Sequence, residues 1–315
     1  HKECMIQHSA GTTLKVIENG VRATAADGSV VDHMTTDKCR DFMRTFVPRS
    51  PGDVTASTPI ANGWFNYTGW YPPNPIGEFT GTYTMPGLPR NPGFQNVYYF
   101  IGTQDNSSAP LTILQPVLGY NQIGGSGWTL SSWNCCPSGQ VHQGNVVSGM
   151  APGDVISGSI KQTNQSPSTY SIVGTWNGQD ADLSVDVGQE VFNWADVTLE
   201  AYNVNSCDQF MNGPFTFSNL VIKDTGGNVM TPDWTRYPSS SGTTACNGKV
   251  TVSGSTVTIQ ENIPICSNAS AGPIWSNADA QTKCPSTCSS VGKAWNGQWT
   301  TTEPGVNSVC GCCTN

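Results

Sequence analysis

Between residues 78 and 260 apolar residues come in short runs, and Gly, Pro or Asn closes each run after roughly 8–15 positions. The runs predict strands at 78–84, 95–102, 111–120, 127–133, 140–147, 154–162, 170–176, 181–187, 194–203, 215–223 and 249–260. Turn signals separate them at Pro72-Pro73, Pro86-Gly87, Gly124-Gly125, Pro152-Gly153-Asp154, Asn177-Gly178 and Gly226-Gly227. Within Val155–Ile160 and Val250–Ser253, small or polar residues alternate with apolar ones, the period of a half-buried strand. Many short, evenly spaced strands predict an all-β antiparallel sandwich over 61–262. Ahead of it, 1–60 reads as a prefix. Two short strands (14–17 and 21–25) flank an Asn19-Gly20 turn, one short helix is expected over 35–45, and Pro48, Pro51, Gly52 and Pro59 mark a linker at 48–60. A second linker is expected near 262–272, and 263–315 forms a separate small module.

Composition narrows the class. Only 11% of the 315 residues are charged, and the net charge of −8 includes no basic run. Nucleic acid is therefore excluded as a partner, since phosphate contacts need clustered Lys and Arg. No apolar stretch reaches the ~18–20 residues of a membrane span. The chain opens on His1 without a signal-like segment, which reads as a processed mature form. Twelve cysteines in an acidic, Gly-rich chain imply disulfides and secretion. Cys4 with Cys39 and Cys207 with Cys246 are plausible outer pairs, Cys135-Cys136 is an adjacent pair, and the full connectivity stays open. The competing zinc knot from Cys284, Cys288, Cys310, Cys312 and Cys313 has no neighbouring His. Sequons at Asn66, Asn106 and Asn268 fit secretion; the one at Asn164 is followed by Pro167 and is a poorer acceptor.

The last fifty residues concentrate Trp275, Trp295 and Trp299 among Ser276, Asn277, Asp279, Asn296 and Gln298. Aromatic faces attract the polarised C–H face of a pyranose, and amides and carboxylates bond its hydroxyls. Large aromatics also suit the core of so small a module. The blocks Gly272-Pro273-Ile274-Trp275-Ser276-Asn277-Ala278-Asp279-Ala280 and Asn296-Gly297-Gln298-Trp299-Thr300, with Cys284 and Cys288 between them and Cys310 and Cys312 after them, resemble the mannan-binding lectin family. The resemblance implies one oligomannose site bordered by a loop holding Trp275, Ser276, Asn277 and Asp279 and by Asn296, Gly297, Gln298, Trp299 and Thr300. Asp279 is the implied acceptor for a pair of sugar hydroxyls.

The sandwich carries a second resemblance. Tyr98-Tyr99-Phe100-Ile101-Gly102, Ile113-Leu114-Gln115-Pro116-Val117-Leu118, Trp128, Trp133, Pro152–Gly158, Trp194-Ala195-Asp196-Val197-Thr198-Leu199-Glu200 and Phe215-Thr216-Phe217 occur in the order seen in fungal glutamic peptidases and related secreted fungal proteins. That family implies a concanavalin-like sandwich, a Gln that steadies an oxyanion and a Glu that activates water. Gln115 falls on the Gln. The first acidic position holds Asp196 instead of Glu, and Glu200 keeps the second. An Asp is one methylene shorter, so the resemblance leaves activity undecided.

Other chemistry is thinner. Asp180, Asp182, Asp186 and Glu190 share an even spacing, which suits a solvated acidic edge, a glycosidase dyad or a calcium site. His1 could chelate copper only if His8, His33 or His142 joined it. No Gly-x-Ser-x-Gly elbow occurs, and no cofactor is implied. The leading expectation is a secreted lectin for mannose-rich glycans of cell walls or glycoproteins. The alternatives are an acid hydrolase with a peptide substrate, targeted by the module, and a structural or effector protein.

Overall fold

The computed structural model describes residues 4–39, 61–106, 112–122, 127–237, 245–261 and 266–314. Its first strands are β1 (Met5–Gln7), β2 (Thr13–Ile17), β3 (Gly20–Thr24), β4 (Val30–Met34), β5 (Ala61–Trp70), β6 (Ile76–Thr84), β7 (Asn96–Asp105) and β8 (Thr112–Tyr120). They continue as β9 (Trp128–Cys135), β10 (Val141–Ser148), β11 (Val155–Gln165), β12 (Ser168–Trp176), β13 (Gln179–Gly188), β14 (Trp194–Val204), β15 (Phe215–Asp224), β16 (Val229–Met230) and β17 (Thr235–Tyr237). After β18 (Lys249–Ser253) and β19 (Thr256–Gln260) come β20 (Cys266–Gly272), helix α1 (Asn277–Ser290), β21 (Ala294–Glu303) and β22 (Asn307–Cys313). The chain divides into two compact units, His1–Asn262 and Ile263–Asn315.

The first unit is a sandwich of two large sheets. One runs β1-β10-β9-β8-β7-β14-β5-β17, and the other β18-β19-β15-β6-β11-β12-β13-β2-β3-β4 with β16 beside β15. Alternation along the strands sends Val97, Tyr99, Ile101, Leu114, Leu118, Val197 and Leu199 inward against Phe79, Ile160, Ile172, Leu183, Phe215 and Phe217 of the facing sheet. The even-numbered residues of β7 and β14 point the other way.

Several expectations change in detail. The predicted single strand 249–260 is a hairpin, because Gly254 turns at φ +57° between β18 and β19; the apolar positions change parity there, from Val250 and Val252 to Val257 and Ile259. The 1–60 prefix contributes strands to both sheets, with β1 pairing parallel to β10 and β2 parallel to β13. A helical turn occupies 37–39, residues 35–36 are irregular, and 40–45 and the 48–60 linker lie outside the described residues. Much of the second expected linker is strand β20.

Pro116 sits in β8, a central strand, where its missing N–H removes a ladder bond. The β7–β8 register runs Phe100↔Val117 and resumes at Thr103↔Leu114. Tyr83 of the facing sheet fills this gap: its buried phenol donates to the Pro116 carbonyl at 3.2 Å and accepts from the Ile101 N–H at 3.2 Å. Gly158 of β11 makes room, since a Cβ there would lie 2.3 Å from the phenol oxygen. Tyr83→Phe leaves Ile101 N–H and Pro116 C=O without this partner. It should cost about 1–3 kcal/mol in urea unfolding, and an unchanged midpoint would show that the bridge contributes nothing.

Candidate functional site

The outer face of the β1–β17 sheet carries its own buried cluster. Tyr98, Phe100, Val117 and Trp133 pack there with Met5, Trp64, Val141 and Tyr202. Gln115, Asp196 and Glu200 lie on this face, all buried. Thr103↔Leu114 and Phe100↔Val117 bracket Gly102 opposite Gln115, and Gly102 pairs with Asp196 on its other side. Gln115, Gly102 and Asp196 therefore form one row over three strands, about 10 Å from end to end. Gly102 makes room in the middle of the row for the Asp196 carboxylate, which a Cβ there would meet at 2.5 Å. On the far side of Asp196 the register places Gly69. Gln115 Oε1 is buried without a hydrogen-bond partner.

Glu200 stands in a different row, opposite Tyr98 and Trp64. Four residues along a strand separate its backbone from that of Asp196 by about 13 Å. The register thus pairs Gln115 with Asp196. Asp196 accepts from Thr198 Oγ1 at 2.6 Å and Gln104 Nε2 at 3.1 Å, while the Tyr202 hydroxyl donates to Glu200. Burial raises both carboxyls to about 7 against these bonds, and the Asp196 charge adds to the shift of Glu200. Sequence reading missed Gly102, Gln104, Thr198 and Tyr202. Their signal was the shared even parity with Tyr98, Phe100 and Glu200 along β7 and β14.

The second unit is a three-stranded sheet, β20-β22-β21, with α1 packed on it. Cys266–Cys313, Cys284–Cys310 and Cys288–Cys312 staple it, and its buried core is the cysteines of the last two bridges joined by Ile274 and Ala280. The expected Trp275–Asp279 loop is partly helix. Ser276 caps α1, its Oγ accepting from Asp279 N at 3.2 Å, and Asp279 Oδ2 in turn accepts from Trp275 N at 3.1 Å. The same oxygen takes Lys283 Nζ at 3.2 Å. Asp279 therefore builds the turn, and only Oδ1 has acceptor capacity left for a sugar.

Across the module, Asn296, Gly297 and Gln298 bulge out where Trp295 pairs with Cys312 and Trp299 with Cys310. Gly297 turns at φ +85°, and Asn296 Oδ1 accepts from Gln298 N at 2.9 Å. Trp299 Nε1 donates to Asn277 Oδ1 at 2.9 Å, which ties the start of α1 to the bulge. Trp275 is 72% exposed, and Ser276, Asn277, Asn296, Gln298 and Thr300 are exposed as well. Trp295 and Trp299 are half-buried against the cystine core. The two predicted blocks are thus brought together, with Trp275 offering the open ring face.

Other predicted residues have local duties. Asn66 is fully buried and its Nδ2 donates to Glu261, which corrects its assignment as a glycosylation site: the nitrogen that would carry the sugar points into the core. Asn106 and Asn268 are exposed. Asp180 accepts from Thr175, Asp182 from Gly11 N, and Glu190 from Thr112, while Asp186 pairs with Lys15. These carboxylates serve separate turns and strands. Among the described residues no group of three His, Cys, Asp or Glu is placed to hold a metal ion, and no helix is long and apolar enough to cross a membrane. His1 lies outside the described residues.

Residues 277–312 match the family model described as mannan-binding protein. Among solved structures the chain is similar to SCP-B, a member of the eqolisin family of peptidases, in complex with the tripeptide Ala-Ile-His; identity is 15%, TM-score 0.46, with 63% of this chain and 98% of that one covered. It is also similar to scytalido-glutamic peptidase with a peptide-based transition-state analogue, at 14% identity and TM-score 0.48 over 64% of this chain and 100% of that one. A comparison with curated protein sequences finds no match.

The raised carboxyls set a pH signature. The fold favours their neutral forms, so their stability contribution is complete below the ordinary values of 3.8 and 4.5 and is lost as pH rises through about 7. Asp196→Asn and Glu200→Gln should each flatten the decline in unfolding free energy over that window, measured by urea unfolding at several pH values. Unaltered slopes in both variants would contradict the burial of these charges.

Proposed function

We propose that the protein is a secreted lectin for mannose-rich glycans, acting through residues 263–315. The observation that carries this reading is the exposed Trp275 ring at the entry to α1, next to the segment 277–312 that matches the mannan-binding family, in which the Trp299–Asn277 bond ties the start of α1 to the strand carrying Asn296 and Gln298. A pyranose stacks on Trp275 while the side-chain amides and Asp279 Oδ1 take its hydroxyls. Ser276 and Thr300 flank the same surface. One such module per chain gives modest affinity, so avidity comes from dense glycans on a cell wall or glycoprotein.

A second reading is favoured by the Gln115–Gly102–Asp196 row: a hydrolase acting on peptides, with the module as its targeting unit. Asp196 is the base for water and the Gln115 amide steadies the oxyanion. The raised Asp196 carboxyl ionises near neutrality, so this activity would rise toward pH about 7 instead of peaking in acid.

Calorimetric titration with an oligomannose glycan separates the readings. Saturable binding is expected, and Trp275→Ala should weaken it at least about tenfold, the loss of one aromatic–sugar contact. Trp275 is exposed, so this variant keeps the fold, whereas Trp299→Ala would also remove core packing. Gln115→Ala should leave glycan binding unchanged. Absence of binding at millimolar glycan, or full binding by the Trp275 variant, would overturn the lectin assignment.

A further inference from the structure

Three imidazoles from three separate strands or their ends meet between the two sheets at one edge of the sandwich. His8 follows β1, His33 lies on β4 and His142 on β10. His8 Nε2 and His142 Nδ1 share a hydrogen bond at 3.0 Å, and the ring centroids of His33 lie 5.3 Å and 5.9 Å from theirs. His142 is fully buried and His8 nearly so. Around them Asn134 Nδ2 and Oδ1, Gln140 Oε1, Thr35 Oγ1 and His142 Nε2 are buried without partners. The two bonded nitrogens face each other, so the rings hold one another and do not converge on an ion.

We propose that this histidine cluster is an acid-sensitive latch that fastens residues 4–39 to the sandwich at neutral pH and lets them loosen in acid. The His8–His142 bond needs one N–H donor and one neutral acceptor. Once both rings are protonated, two N–H groups and two positive charges confront each other across 3.0 Å. The nearby carboxylates are already engaged, and among the described residues only Asp32 couples to one of the rings, that of His33. Asp32 beside His33 is paired with Arg22, Asp186 with Lys15, and Asp182 accepts from the Gly11 N–H. β9 and β10 bring Asn134 and His142 but no carboxylate to the cluster.

What the latch fastens is a closed piece of chain. Cys4–Cys39 ties its ends together. It joins the two sheets through the parallel pairings β1–β10 and β2–β13, and β3 and β4 extend the second sheet outward. If the rings charge, the piece loosens as a unit and the edges of β10 and β13 lose their neighbours. The sign follows from burial. It holds His8 at about 4 and His142 at about 3, below the ordinary 6.5, with the neighbouring imidazoles adding to it. The latch's contribution is therefore full above pH 6.5 and is lost as pH falls toward those values. Asp196 and Glu200 on β14 are shifted the opposite way, so acid does not loosen that strand.

Hydrogen exchange of the full chain, corrected for intrinsic rates, tests this between pH 7 and pH 4. Protection of amides in β1–β4 should fall at least about tenfold while that in β7 and β14 holds, and His142→Asn should remove the pH dependence of the β1–β4 amides. Equal change throughout the sandwich, or the same acid loss in His142→Asn, would overturn the proposal. Should that variant fail to fold, imidazole titration of the native protein by NMR decides. His8 and His142 must both stay neutral well below pH 6.5, and ordinary titration of either would overturn the latch.

Discussion

The structure around the candidate catalytic row depends on how a proline is accommodated in the middle of a sheet. Pro116 cannot complete the β7–β8 ladder, and the two strands would carry an unpaired N–H and C=O in the core. The Tyr83 phenol supplies both missing partners from the opposite sheet, in the space Gly158 leaves for it. This one side chain ties the layers together and fixes the register at the point where Gln115 and Gly102 stand beside each other. The row from Gln115 through Gly102 to Asp196 is a consequence of that register.

The two units solve the problem of stability by different means. The sandwich has two broad inner faces and buries large aromatics such as Phe79, Phe215 and Phe217 between them. The small module has little apolar surface, and three disulfides take the place of a core. Pro285 sits inside α1, where its missing N–H removes one helix bond, next to the Cys284–Cys310 staple. Stapling leaves Trp275 free of packing duty, so a large aromatic can face solvent.

The strand pattern was legible because alternation and turn residues are local signals. Asn177-Gly178 closes the β12–β13 hairpin with both residues at positive φ, as its sequence implies. The Gly254 turn is marked only by one Gly among Ser and Thr and by a change of parity from Val250 and Val252 to Val257 and Ile259. The share of 1–60 built into the sheets was not legible, since parallel pairing of β1 and β2 joins segments more than a hundred residues apart. At the sites, residue types were readable but partnerships were not. Asp196 and Glu200 share a face, yet only the register across β7 shows which of them stands opposite Gln115. The buried Asn66 satisfies its sequon by sequence alone, and its burial against Glu261 is a tertiary fact.

The central claim is that sugar contacts the module at the start of α1 and at the β21 bulge. NMR chemical-shift mapping during titration with an oligomannose glycan tests it most directly. The account predicts that shifts concentrate in the Trp275 indole and in Asn277, Asn296, Gln298 and Thr300, with the outer face around Trp64, Trp133 and Tyr202 unmoved. Shifts confined to that outer face, or no shifts at all, would contradict it.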